Sequence, residues 1–371
     1  MAGLGTIGFS LSWSHSLSGA AEKPATNIDR ALKYPRTAQS LPGRYPAQVV
    51  EVVHRQSVKG LRPEKAIVRQ MLEAALVTLT GEASAEKAWR QFVKPDEVVG
   101  LKVNPVAGKL LSTSRELVQV VIDQLIAAGM PRENIVIWDR REFELYEVGF
   151  TPENFPGVRI MGTERKDADG SFYDKAGKLY GEAMIDRDWY YYADCEMKYD
   201  AETLPYMVNE GKYSYFSKIV TREVDKIINL PILKNAGSSI TLCLKNLAYG
   251  SISNTARLHQ QLWSETCAQV PCFPPLRDKV VLNIADGLIG CYEGGPGANP
   301  NYIVPFHRIL VGTDPVAVDR IGYQLIQKKR REMKIQKKES SAGQRFLELA
   351  HQYGLGESRL EKIQHQMIQL G

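Results

Sequence analysis

The apolar positions of the chain fall into short runs separated by stretches with helical spacing. "EVVGLKVNP" (97–105) and "NIVIWDR" (134–140) have the length and composition of buried strands. Between them, "STSRELVQVVIDQLIAAGM" (112–130) has helical spacing, serines at its start and Gly129 near its end. This order predicts a βαβ unit with parallel strands. "KAIVRQMLEAALVTLTG" (65–81) predicts a further helix.

The second half of the chain contains further apolar runs of strand length. They are "VDKIINLPIL" (224–233), "KVVLNIADGL" (279–288) and "HRILVGTDPVAVD" (307–319), with a shorter run at "GVRIMG" (157–162). Because these runs do not alternate with polar residues, they indicate strands covered on both faces. We therefore predict an α/β fold with a mostly parallel sheet flanked by helices.

The predicted domain covers residues 40–371 as one unit. The tyrosine-rich residues 188–216 lack a helical period and predict a β-rich insertion at about 160–222. Residues 321–371 are predicted to be mostly helical. Residues 23–60 are polar and interrupted by prolines.

The first 22 residues are apolar and rich in glycine and serine, which is typical of an export signal. No charged segment and no pair of arginines precedes the apolar run. The segment is therefore a truncated export signal, with the twin-arginine route and a periplasmic location expected, or a disordered tail of a cytoplasmic protein. Elsewhere no apolar run approaches the roughly 20 residues of a spanning helix, so we predict no stable membrane span.

Composition narrows the classes of function. A chain of 371 residues with 44% hydrophobic residues can bury a large core. The net charge of +5 is a mild bias without an arginine-rich arm, so we predict no nucleic-acid partner. The five cysteines form no C-x-x-C motif, which argues against a built-in iron–sulfur cluster. Cys267 and Cys272 could form a disulfide, or all the thiols could be unpaired.

Candidate chemistry is concentrated where the predicted strands end. Ligands of open α/β sheets bind at the carboxyl ends of the strands, and a buried lysine without a partner is energetically costly. We predict a site for a small anionic ligand. Its catalytic candidates are Lys245, Asp286 and Lys234, and its substrate-binding candidates are Lys102, Asn104 and Asn246.

A divalent cation is a second expectation, since carboxylates are preferred ligands of hard cations and the six histidines are scattered. The predicted ligands are Asp139, Glu293, Asp314 and Asp319. Asp286 and Asp314 are expected to form the wall opposite the lysines. Alternatives stay open for each carboxylate: Asp314 before Pro315 fits a helix N-cap, Asp286 fits a turn, and Asp139 and Asp319 fit ion pairs or surface positions.

In this order, "VVGLKVNP", "NIVIWDR", "DKIINLPILKNAGSSITLCLKNL", "NIADGLIGCYEGGPG" and "ILVGTDPVAVD" resemble the family called domain of unknown function 362, in its exported, cluster-free branch. The resemblance implies the fold and the position of the site, and it supports export. The matching residues are Lys102, Asn104, Asp139, Asp225, Pro231, Lys234, Lys245, Asn246, Asp286, Gly294, Pro296, Asp314 and Asp319. Many members have a threonine and a histidine where this chain has Asn235 and Ala236, so any role of that histidine is lost or moved here.

Three functions are consistent with these patterns. The first is an exported enzyme that acts on a small anionic substrate, with a divalent metal held by carboxylates. The second is a non-catalytic protein that binds a metal or an anion for a redox or assembly pathway. In the third, buried ion pairs fix the fold and the tyrosine-rich insertion binds a partner, although buried ion pairs stabilise a fold poorly. The sequence predicts no particular oligomeric state.

Overall fold

The computed structural model describes residues 23–198, 211–237, 239–295, 297–337, 340 and 343–371. The predicted export signal at 1–22 and Pro296 lie outside the described residues, so export stays a prediction. In the part of the chain that is described, no helix has both the length and the apolar character needed to cross a membrane.

Fourteen strands and eleven α-helices make up the described regular structure. The strands are β1 Gln48–His54, β2 Val58–Lys59, β3 Arg62–Pro63, β4 Val99–Lys102, β5 Ile135–Arg141, β6 Arg159–Glu164, β7 Ile185–Tyr192, β8 Tyr213–Ser217, β9 Lys226–Asn229, β10 Ile232–Asn235, β11 Ile240–Thr241, β12 Val280–Cys291, β13 Ile303–Gly312 and β14 Gln364–Leu370. The helices are α1 Ile28–Lys33, α2 Lys65–Thr80, α3 Ala85–Trp89, α4 Arg115–Ala127, α5 Glu142–Glu147, α6 Cys243–Ser251, α7 Ala256–Gln261, α8 Trp263–Gln269, α9 Pro274–Arg277, α10 Pro315–Glu332 and α11 Arg345–Gln352.

A single large sheet organises the molecule. Its main path runs β14-β1-β13-β12-β9-β4-β5-β6, and β10 pairs with β12 and with the short β11. The strands from β12 through β9, β4 and β5 to β6 are parallel, whereas β13 is antiparallel to both β12 and β1. The predicted mostly parallel sheet is confirmed, and the ends of its parallel strands face one edge.

Helices cover both faces of this sheet. In β5, Ile135 and Ile137 pack into a core with α2, α3 and α4. The alternate residues Val136 and Trp138 pack into a second core with α6, α8, α10 and α11. Strands covered on both faces explain why the apolar runs of the sequence do not alternate, and they confirm the predicted α/β class.

The predicted helical end at 321–371 is wrong for its last segment. Residues Gln364–Leu370 form β14, which pairs in parallel with β1 at the edge of the sheet. β1 itself lies within the polar, proline-interrupted residues 23–60, to which the sequence analysis assigned no element. Most of β14 is exposed and polar, so its conformation comes from backbone pairing with a distant segment rather than from a local pattern.

The β-rich insertion is present with a different start. β6 belongs to the main sheet, whereas β7 and β8 form a separate antiparallel pair. The insertion therefore begins after Glu164 rather than at 160. Residues 199–210, which lie between β7 and β8, are outside the described residues.

The five cysteines are all buried and unpaired. Cys267 and Cys272 therefore do not form the disulfide that the sequence left open. Both side chains pack in the core that contains α6 and α8.

Candidate functional site

A cavity of about 200 Å³ lies where β4 and β5 end. Besides Asp139 in β5, its wall includes four other residues predicted from the sequence: Asn104, Lys234, Lys245 and Asn246. They come from the segment after β4, from β10 and from α6. The structure therefore brings together residues that are up to 142 positions apart, as in the hydrogen bond between Asn104 and Asn246.

A fully buried ion pair sets the orientation of the amides around this cavity. Lys102, with none of its surface exposed, pairs with Asp139 and also donates to Asn246 Oδ1 at 3.0 Å. Because a lysine only donates, Asn246 must present its oxygen to Lys102. Asn104 Nδ2 donates to the same oxygen at 2.9 Å. Asn104 is thereby left with its own oxygen facing Lys234, which donates to it at 3.0 Å.

The amide chain continues into the sheet through two residues that the sequence analysis did not select. Asn246 Nδ2 donates to Asn229 Oδ1 at 2.8 Å, and Asn229 Nδ2 donates to Asn283 Oδ1 at 2.9 Å. Both partners are completely buried in strands. An asparagine within an apolar strand, as in "IINLP" and "VVLNIAD", indicates a buried polar network, because a buried amide needs hydrogen-bond partners.

Two lysines of the cavity wall lack a counter-charge. Within the described ranges, no carboxylate oxygen lies within 4.0 Å of Lys234 Nζ or Lys245 Nζ. Lys234 is 1% exposed and Lys245 is 8% exposed. Lys245 Nζ is 3.5 Å from Thr241 Oγ1 and lies 5.8 Å from the ring centroids of both Tyr249 and Trp263.

Burial lowers the pKa values of both lysines. Burial, together with the nearby ammonium of Lys245, lowers the pKa of Lys234 to about 7. The carboxylates of Asp139 and Glu144 in the same wall pair with Lys102 and Arg141, so Lys234 and Lys245 have no ion-pair partner within 4.0 Å among the described residues. This arrangement favours the binding of an anion.

His259 from α7 lines the same cavity, and the sequence analysis missed it. Its Nδ1 lies 3.0 Å from the carbonyl oxygen of Thr255, which assigns the hydrogen to Nδ1 and leaves Nε2 as an acceptor. Burial and the charge of Lys245 lower its pKa to about 4, so the ring is neutral at physiological pH. No local signal marks this residue, because packing places α7 beside α6.

Lys102 and Asp139 differ from their predicted roles as substrate-binding residue and metal ligand. Lys102 does not line the cavity, and its ammonium is occupied by Asp139, Val103 and Asn246. Asp139 reaches the cavity wall but is the partner of Lys102. The pair acts on the site indirectly, by orienting Asn246.

Asp286 lies in a different and larger groove of about 560 Å³. Its carboxylate accepts the Ser114 backbone N–H at 2.8 Å, the Ser114 hydroxyl at 2.6 Å and the Leu288 N–H at 3.1 Å. It therefore anchors the start of α4 and does not face the lysines. We favour the smaller cavity as the site, because Lys234 and Lys245 in its wall have no carboxylate partner among the described residues, whereas Asp286 accepts three hydrogen bonds.

Asp314 is an N-cap. It accepts the N–H groups of Val316 and Ala317 at the start of α10, and also those of Ala47 and Glu357. The alternative role left open by the sequence is confirmed, and Asp314 does not form a wall opposite the lysines.

The carboxylates predicted to bind a metal are not gathered into one site. Glu293 pairs with Arg330, and Asp319 accepts the backbone N–H groups at the start of α6. Across the described residues, no three His, Cys, Asp or Glu side chains are grouped so that they could hold a metal ion. Each of the four carboxylates instead has a separate partner in the protein.

Comparison with known proteins finds a family model that matches part of the chain, and it assigns no activity. No curated protein matches it. A crystal structure of a structural-genomics target from Thermotoga maritima is similar with 9% sequence identity and a TM-score of 0.38. The match covers 74% of this chain and 60% of the length of that protein. Residues 191–324 match the family model named domain of unknown function 362. This segment, which contains Lys234, Lys245 and His259, is the part of the chain that is similar to the domain of unknown function 362 family.

Proposed function

We propose that the cavity binds a small anion between Lys234 and Lys245. The observation that carries this proposal is that two buried ammonium groups line one cavity without a carboxylate partner among the described residues. Burying an unpaired charge destabilises a protein. A bound anion would compensate both charges at once.

A purely structural role fits a different lysine of the same region. Lys102 is buried with a carboxylate, a carbonyl and an amide as partners, as expected of a lysine that fixes the fold. Lys234 has one neutral partner, and Lys245 has one hydroxyl at the outer limit of hydrogen-bond distance. This difference from Lys102 supports a ligand-binding role for Lys234 and Lys245.

The size of the cavity limits the ligand. About 200 Å³ is smaller than the pockets of roughly 300–1,000 Å³ that accept drug-sized molecules. Inorganic anions and short carboxylates fit this limit. The proposal assigns no role to a divalent cation, because the four carboxylates predicted to bind one have other partners. Export remains a separate proposal that rests on residues 1–22.

We favour an enzyme over a binding protein because His259 places a neutral imidazole in the same wall. Its Nε2 can accept a hydrogen bond from a substrate, and simple anion binding does not need an acceptor. A non-catalytic protein would bind the same anions without turnover.

Calorimetric titration with sulfate, phosphate and malonate tests the proposal. We expect Lys245→Met to weaken binding by at least about tenfold, which corresponds to 1.4 kcal/mol. Its melting temperature should be unchanged or higher, since an unpaired buried charge is removed. Lys87→Met, at an exposed position of α3, is the control with the same change in net charge. Absence of binding to the wild type, or equal binding by Lys245→Met, would contradict the proposal.

A further inference from the structure

We infer that Lys234 is a nucleophile that forms an imine with a small carbonyl compound carrying an anionic group, such as a 2-oxo acid. Lys245 would hold the anionic group while Lys234 attacks the carbonyl carbon. The inference rests on the proposed anion site and names the class of substrate for it.

The surroundings of the two lysines assign them different roles. Lys245 lies 5.8 Å from the centroids of two aromatic rings, and ring faces stabilise a cation. Lys234 contacts no aromatic face and no carboxylate in the part of the chain that is described, and its hydrogen-bond partner is the neutral oxygen of Asn104. The protein therefore favours the charged form of Lys245 more than that of Lys234.

The orientation of Asn104 suits a neutral amine. Lys102 fixes Asn246, and Asn246 in turn fixes Asn104 with its oxygen towards Lys234. One N–H of a neutral amine satisfies this acceptor and leaves the nitrogen lone pair free for a carbonyl carbon. Burial, with the neighbouring Lys245, lowers the pKa of Lys234 to about 7, so neutral amine is available near physiological pH.

This arrangement is a known way to activate a lysine. A lysine that is desolvated and placed next to another cation loses its proton more readily and becomes a nucleophile for carbonyl compounds. Lys234 meets both conditions, since it is 1% exposed and Lys245 lines the same cavity.

The reaction balances without a further reagent. The lone pair of Lys234 Nζ adds to the carbonyl carbon and forms a C–N bond. The two hydrogens of the amine leave with the carbonyl oxygen as water, and a C=N bond remains. The burial of Lys234, which is 1% exposed, keeps bulk water from its side chain and favours this dehydration.

Reductive trapping tests the inference. The full-length protein is incubated near neutral pH with pyruvate and cyanoborohydride, which transfers hydride to the imine carbon and leaves a stable secondary amine. Intact mass measurement and peptide mapping then locate the adduct. We expect labelling at Lys234 that saturates with pyruvate concentration and that sulfate inhibits.

Two variants and a second carbonyl compound test separately the roles of Lys234, of Lys245 and of the anionic group of the substrate. Lys234→Arg keeps the charge but cannot form the imine, so labelling of the cavity should disappear. Acetone carries the carbonyl without the anionic group and should label at least about tenfold less, a difference of 1.4 kcal/mol in binding. Lys245→Met should reduce pyruvate labelling towards that of acetone.

Two different failures can be told apart. If sulfate binds and no adduct forms at Lys234, or if the adduct is spread over exposed lysines, the inference is wrong while the anion site stands. If neither sulfate nor pyruvate binds, the proposed function fails as well.

Discussion

The carboxylate of Asp319 accepts a hydrogen bond from the backbone N–H of Cys243 at 2.6 Å, and a second from Leu244 at 3.0 Å. Asp319 lies in α10, whereas Cys243 is the first residue of α6. The first turn of a helix has N–H groups without partners, and a side chain from another helix satisfies two of them here. Because α6 carries Lys245 and Asn246, Asp319 positions one side of the candidate site.

Replacing Asp319 should therefore affect both folding and binding. We expect Asp319→Ala to lower the free energy of unfolding by about 1–3 kcal/mol, because two buried N–H groups lose their acceptor. Urea unfolding measures this change, and calorimetry should show weaker sulfate binding. Glu332→Gln in the same helix is the control, since Glu332 is exposed and pairs only with Lys329 there. Equal effects of the two substitutions would refute a positioning role for Asp319.

Asp319 should also make stability depend on pH. Burial raises its pKa from 3.8 to about 7. Since the folded-state pKa exceeds the unfolded one, the stabilisation is complete below the unfolded pKa and is lost as the pH rises through about 7. We expect the wild type to lose more stability than Asp319→Asn between about pH 5 and pH 8. Urea unfolding at several pH values measures the difference, and parallel curves for the two proteins would contradict the assignment.

The sequence predicted the central strands well because their signals are local. β4, β5, β9 and β12 are apolar runs bounded by turns, and the helix between β4 and β5 has a clear period. The sequence analysis did not predict β1 or β14, and the reason is physical. β14 is polar and exposed, and it becomes a strand through its pairing with β1, more than 300 residues away in the chain.

In the candidate site, too, residues at the ends of strands could be predicted from the sequence, whereas a residue placed by tertiary packing could not. Asn104 and Lys234 come from the ends of parallel strands, so topology alone predicts that they lie close together. Asp286 also belongs to the sheet, yet its side chain turns towards Ser114 and a different groove. His259 comes from a helix whose position depends on tertiary packing, which periodicity cannot supply.

The Lys102–Asp139 pair should matter more for folding than for ligand contact. Asp139→Asn leaves a fully buried ammonium without its counter-charge, and we expect a loss of about 3–5 kcal/mol in the free energy of unfolding. Urea unfolding of the double variant Lys102→Met/Asp139→Leu should show recovery of part of this loss, because no unpaired charge remains buried.

An exposed ion pair provides the matched comparison for this experiment. Lys212 and Asp194 pair at the surface, where solvent screens the interaction, so Asp194→Asn should change stability far less than Asp139→Asn. If Asp139→Asn were as mild as Asp194→Asn, the buried pair would not organise the amides around the cavity.

Sulfate affinity should fall as the pH rises through about 7. Lys234, whose pKa is about 7 through burial and the charge of Lys245, must be protonated to contribute its full charge to an anion. The other titratable groups that act on it are Asp139, Cys291 and Glu144. Sulfate is the suitable probe because its own charge is constant in this range. Above the pKa of Lys234 we expect affinity to decrease by up to about tenfold per pH unit.

Calorimetric titrations of sulfate at several pH values measure this dependence. Lys234→Met should bind sulfate more weakly and should lose most of the pH dependence, because the titrating group is gone. His259→Gln should keep the pH dependence, since burial and Lys245 lower the pKa of His259 to about 4, well below the range tested. A wild-type affinity that is constant or that rises with pH would show that Lys234 does not carry the charge that binds the anion.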